Sequence, residues 1–88
     1  MVKPYSEIAL SDNEIIRTFK ISLADEDLKW HWDEENRIIE ALHENDWMFQ
    51  FDNQLPIKLD GKIEIESGVW HRLIKGNRDI KIRIKKIC

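Results

Sequence analysis

Apolar and polar residues alternate most regularly at the end of the chain. Over residues 79–87, DIKIRIKKI, Ile80, Ile82 and Ile84 alternate with Lys81, Arg83 and Lys85. A period of two predicts a strand with one apolar face and one basic face. Residues 62–66, KIEIE, repeat the pattern with Ile63 and Ile65, and a turn follows at Ser67-Gly68. Gly76-Asn77 is a turn signal that predicts a hairpin between residues 69–75, VWHRLIK, and the last strand. Upstream, residues 47–51 (WMFQF) predict a strand whose Met48, Phe49 and Phe51 supply core, and Asp52-Asn53 and Asp60-Gly61 predict turns. Pro56 confines its own segment to an edge or a strand start. Residues 14–22, EIIRTFKIS, predict a strand that enters the acidic loop Asp25-Glu26-Asp27.

Residues 33–44, DEENRIIEALHE, break this rhythm. They carry an acidic first turn and place Ile38, Ile39 and Leu42 at helical spacing. The apolar stretch is short, however, and Asn45-Asp46 supplies a hairpin turn straight into residues 47–51. Tertiary context overrides local propensity, so a strand over residues 37–43 is expected, with room for one short helix in an otherwise all-β chain.

Composition narrows the class. Eighty-eight residues form one domain, divided into an N-terminal arm (1–13) and a barrel (14–87). No apolar run is long enough to span a membrane. The lone Cys88 cannot form an internal disulfide, which points to a reducing, cytoplasmic setting. The net charge of −3 hides an asymmetry: residues 1–60 hold 6 Lys/Arg against 14 Asp/Glu, and residues 61–88 hold 8 against 3. Pairing of acidic and basic strands within the sheet accounts for this better than an external partner. Nucleic-acid binding is disfavoured, because the strip Lys75, Arg78, Lys81, Arg83, Lys85, Lys86 has no interleaved aromatics. Phosphate loops, nucleophile elbows and zinc-finger spacings do not occur.

Two histidines, His31 and His71, are each flanked by tryptophan at opposite ends of the strand-and-turn region, a layout that can bring two imidazoles to one spot. Alternation sends Trp30, Trp32 and Trp70 to the opposite face, where they suit a homodimer interface. Arg72 likewise faces away from His71, toward a salt bridge with the acidic half. His43, beside its turn, is expected to be exposed.

With turns at Asn45-Asp46, Asp52-Asn53, Asp60-Gly61 and Gly76-Asn77, residues 29–86 resemble a cupin, a small double-sheet jelly-roll β-barrel. His31 takes the first place of the first cupin motif and Asp33 the second. Its Glu place falls on Arg37 or Ile38, and Asn45 stands where glycine is expected, tolerating left-handed backbone. In the second motif Gly61 opens, Glu66 replaces proline, Gly68 keeps its place and His71 is the ligand. The resemblance implies a divalent transition metal (Fe, Mn, Zn or Ni) held by His31, Asp33 and His71 as a facial triad. Glu35 or Glu40 would complete a fourth contact in a shifted register. Arg37, Glu35 and Gln50 are the candidates for contacting a small polar or anionic molecule. Arg37 opposes a metal, since a guanidinium repels a cation, and a structural bridge to Asp33 or Glu35 would leave no metal at all. The alternative is a metal-free cupin-like binding or assembly module.

Overall fold

The computed structural model describes residues 5–23 and 28–87. The acidic loop 25–27, the first residues of the N-terminal arm and Cys88 lie outside the described residues. Eight strands follow in order: β1 (Tyr5–Ala9), β2 (Glu14–Phe19), β3 (Asn36–Ala41), β4 (Met48–Phe51), β5 (Ile57–Lys58), β6 (Lys62–Ile65), β7 (His71–Ile74) and β8 (Ile80–Ile87). The arm therefore carries a strand of its own. No helix occurs among the described residues. The helical spacing of residues 33–44 yields to the sheet because β3 lies between β8 and β6 and is hydrogen-bonded on both edges.

The strands form two antiparallel sheets, one ordered β1-β2-β8-β3-β6 and the other β5-β4-β7. Between them lies one core. The larger sheet contributes Phe19, Ile39, Ile63, Ile65, Ile80, Ile82 and Ile84, and the opposite side contributes Trp47, Phe49 and Leu59. Ile80, Ile82 and Ile84 are all inward, as the alternation requires, and Arg83 on the outer face pairs with Glu14 at 2.5 Å. That hydrogen bond holds the Glu14 carboxyl below its usual value of 4.5. Glu40 stands opposite Arg83 on the other side, so the charge asymmetry of the sequence is resolved within one sheet.

Two expected hairpins are absent. β7 pairs with β4, and β8 pairs with β2 and β3, so Gly76-Asn77 carries the chain from one sheet to the other. Asn45-Asp46 does the same between β3 and β4. The two corners dock on each other: Asp46 Oδ1 accepts the Asn77 N–H at 2.7 Å. A Cβ at Gly76 would lie 2.1 Å from that oxygen and 2.8 Å from the Asp46 carbonyl carbon, so close approach demands glycine there. Asn45 does not adopt the left-handed backbone expected at its place; among the described non-glycine residues only Asn53, in the β4–β5 hairpin, does, at φ 60°. Asn45 is instead a cross-link, donating to the carbonyls of His43 and Leu59 and accepting the Trp47 N–H at 2.9 Å.

Candidate metal centre

His31 and His71 face each other as one antiparallel pair. The N–H of each donates to the carbonyl of the other, at 3.0 and 2.9 Å. Directly opposed residues share a sheet face, so the rings meet at 4.2 Å between centroids. His71, only 4% exposed, stacks on Phe49, whereas His31 opens toward solvent. Asp33 follows from local chain fixation. Its carbonyl accepts the Gly68 N–H at 2.9 Å, the Ser67 hydroxyl donates to the Glu34 carbonyl and the Ser67 N–H to the Asn36 side chain. The turn at Ser67-Gly68, where Gly68 has φ 79°, thus clamps residues 33–36 beside the strand that carries His71.

Hydrogen bonding decides which ring nitrogens are available. His71 Nδ1 lies 2.9 Å from the Val69 carbonyl and His31 Nδ1 lies 3.1 Å from the Lys29 carbonyl. A carbonyl only accepts, so each Nδ1 donates and each neutral ring presents an Nε2 lone pair. Burial pushes the His71 pKa below its ordinary 6.5, which keeps that ring neutral near pH 7. His71 Nε2 is 3.4 Å from Asp33 Oδ2. That oxygen is buried and, among the described residues, receives no hydrogen bond. Two acceptors therefore face each other across a gap that suits a cation. One ligand atom from each of His31, Asp33 and His71 lies within 4.8 Å of the others. Two imidazoles, each oriented by a backbone carbonyl on its Nδ1, and a carboxylate oxygen fit a divalent transition metal in donor type and in how the rings are held.

Arg37 makes both contacts expected of it. Its Nη1 is 3.4 Å from Asp33 Oδ1, and Nη2 and Nε donate to Glu35 Oε1 at 2.7 and 2.9 Å. These bonds hold the Glu35 carboxyl below its usual 4.5. The Asp33 contact uses Oδ1 and leaves Oδ2 to the histidines. Arg37 thus lines the site, while Glu35 serves as its outer partner. Gln50 is separate: it alternates with the inward Phe49, accepts from Arg72 Nε at 2.9 Å and donates to the Gln54 carbonyl. Among the described residues Arg72 meets no acid; its guanidinium lies 4.8 Å over the Trp30 ring and its Nε donates to Gln50. Trp32 and Trp70 are 48% and 47% exposed, on the side away from the core.

Beside His31 and Asp33 opens a cavity of about 410 Å³, bounded by these two and Arg37 and also by Tyr5, Arg17 and Lys29. Sequence reasoning passed over these last three. The signal for Arg17 was present: in Ile15-Ile16-Arg17-Thr18-Phe19 the face holding Ile15 and Phe19 also holds an arginine.

No family model matches the sequence, and no curated protein does. Solved structures do. A cupin domain from Bordetella pertussis Tohama I superposes on 100% of this chain and 99% of its own, with a TM-score of 0.63 at 10% identity. The fold is that of a small cupin. A cupin superfamily protein from Desulfitobacterium hafniense DCB-2 agrees, at TM-score 0.61 and 18% identity over 96% of this chain and 76% of the other. An Fe(II) form of HppE in complex with substrate reaches TM-score 0.67 at 16% identity, covering 99% of this chain and 55% of that one. The cupin fold here thus spans about half the length of HppE. Within this fold, His31, Asp33 and His71 lie together, with ligand atoms within 4.8 Å of one another.

Proposed function

We propose that this protein binds a divalent transition metal ion through the Nε2 atoms of His31 and His71 and Oδ2 of Asp33, and takes a small polar or anionic molecule into the cavity beside them. The observation that carries the reading is the facing pair of acceptors, His71 Nε2 and Asp33 Oδ2 at 3.4 Å, with the oxygen buried and without a donor. Such a pair is unfavourable unless a proton or a metal lies between. HppE, solved with Fe(II), offers a precedent for iron in this fold. Bound there, a metal supplies Lewis acidity. The chain itself fixes both ring tautomers through the Lys29 and Val69 carbonyls, orients Asp33 through the turn at Ser67-Gly68, and shields His71 from water with Phe49. A bare barrel with few loops favours binding over dedicated catalysis.

Elemental mass spectrometry on tag-free protein, beside a His31→Ala/His71→Ala variant, tests the proposal. Near-stoichiometric transition metal that disappears in the variant is expected. Absence of metal from the parent protein after reconstitution with Fe(II), Mn(II), Zn(II) and Ni(II) would sink it. The contact between Arg37 and Asp33 at 3.4 Å favours a second reading, in which the guanidinium is the only counter-charge of Asp33 and the protein is a metal-free binding or assembly module. That reading predicts the metal-free outcome.

A further inference from the structure

Metal ligation uses three residues and leaves the basic side chains of the cavity beside them without a role. Arg17 is its centre. It projects from the inner face of β2 between Ile15 and Phe19, directly opposite Ile82 of β8. Its guanidinium is half used. Nε donates to Glu7 Oε1 at 2.5 Å and the group lies 4.2 Å over the Tyr5 ring. Among the described residues no acceptor meets the terminal nitrogens Nη1 and Nη2. Arg37 contrasts with it, since Nε and Nη2 are held by Glu35 and Nη1 by Asp33. Glu7 and the Tyr5 ring therefore orient Arg17 while leaving its forked end available.

The cavity around that end is lined by three basic side chains and a partly apolar wall. Arg17, Lys29 and Arg37 line it against one carboxylate, Asp33, and Phe19, Leu28 and Leu73 form its apolar wall. At about 410 Å³ it lies in the range of small-molecule sites. A guanidinium with two parallel free donors matches an oxyanion bidentately.

We infer that Arg17 anchors the charged headgroup of a small organic acid, a carboxylate or a phosphonate, whose short apolar body lies against Phe19, Leu28 and Leu73. The inference rests on the metal reading only for the far end of the ligand, which would face His31 and Asp33. The headgroup contact stands without it.

The test uses butyrate and propylphosphonate, with butyramide as the neutral match. Each is titrated into isotope-labelled protein, with and without one equivalent of Zn(II), and followed by NMR at the Arg17 Nε–H and the Phe19 ring. At least one anion is expected to move both signals saturably, and butyramide to leave them in place. Whichever headgroup binds more tightly identifies the class. Arg17→Gln should weaken anion binding by about ten-fold or more, and Arg17→Lys by less, because a point charge keeps attraction but loses the fork. Equal binding by Arg17→Gln, equal shifts with butyramide, or no anion binding at all would overturn the inference. If Arg17→Gln fails to fold, Arg17→Lys decides, and unchanged affinity counts against the anchor. Zinc content measured on the same samples separates the two claims. Anion binding without zinc uptake upholds Arg17 and counts against zinc as the metal; zinc uptake without anion binding upholds the metal site and defeats Arg17.

Discussion

β8 and β2 run side by side through the same sheet, yet their inner faces follow different rules. β8 turns Ile80, Ile82 and Ile84 inward, none more than 4% exposed, and only at its end does a half-buried Lys86, opposite Arg37, follow on that face. β2, paired to it residue for residue, offers Ile15, Arg17 and Phe19. A third strand, β3, repeats the exception with Arg37 ahead of Ile39. Drawing a guanidinium into a barrel carries a desolvation penalty that a leucine would avoid. The difference separates scaffold from proposed site: Ile80, Ile82 and Ile84 hold the fold together, while the interior arginines stand in ion pairs with Glu7, Glu35 and Asp33 beside the cavity.

Replacing Ile82 by Ala should have the largest effect. Loss of a fully buried side chain and the cavity left behind remove about 2–5 kcal/mol, a large share of the stability of so small a domain. Urea denaturation measures it, and a loss below about 1 kcal/mol would show that β8 is not the scaffold described. The pH dependence of the metal-free protein should be smaller. Because the His71 pKa is lowered by burial below 6.5, the unfolded chain takes up the proton first. Stability is then complete above pH 6.5 and declines as pH falls through the folded pKa. Denaturation midpoints between pH 7.5 and 5.5 should fall with pH in the parent protein and flatten in His71→Gln; an unchanged slope would place the titration elsewhere. Arg17→Met should have the smallest effect on stability. The methionine recovers apolar contact, and Glu7, at the partly exposed edge of the pair, regains water. Its melting temperature is expected to stay level or rise. A drop as large as that of Ile82→Ala would make Arg17 part of the scaffold and remove the contrast.

The all-β class and most strands were legible from period-two alternation, because burial on one sheet face leaves its mark residue by residue. The Trp-flanked layout also paired His31 with His71, and the resemblance to a cupin added Asp33 to them. Connectivity was less visible. Gly76-Asn77 and Asn45-Asp46 have turn chemistry, which reverses a chain but does not say which sheet receives the next strand; here the docking of Asp46 on Gly76 and Asn77 decides. Gln50 shows the same limit at a smaller scale. A polar residue on a strand can face either way, and its pairing with Arg72 fixes it outside. Arg17 was overlooked because a charged residue in an alternating strand is assumed to be solvated, although its register with Phe19 places it within.

The pairing of His31 with His71 joins parts of the chain far apart in sequence. Neither imidazole has its partner until the barrel has closed, and closing so long a loop is an entropic barrier met late in folding. The unfolded ensemble therefore lacks the assembled site. Any ligand that needs both rings reports on the complete native population, and by mass action it lifts the melting temperature as its concentration rises. In this small barrel, occupancy of the site and integrity of the fold form one thermodynamic equilibrium.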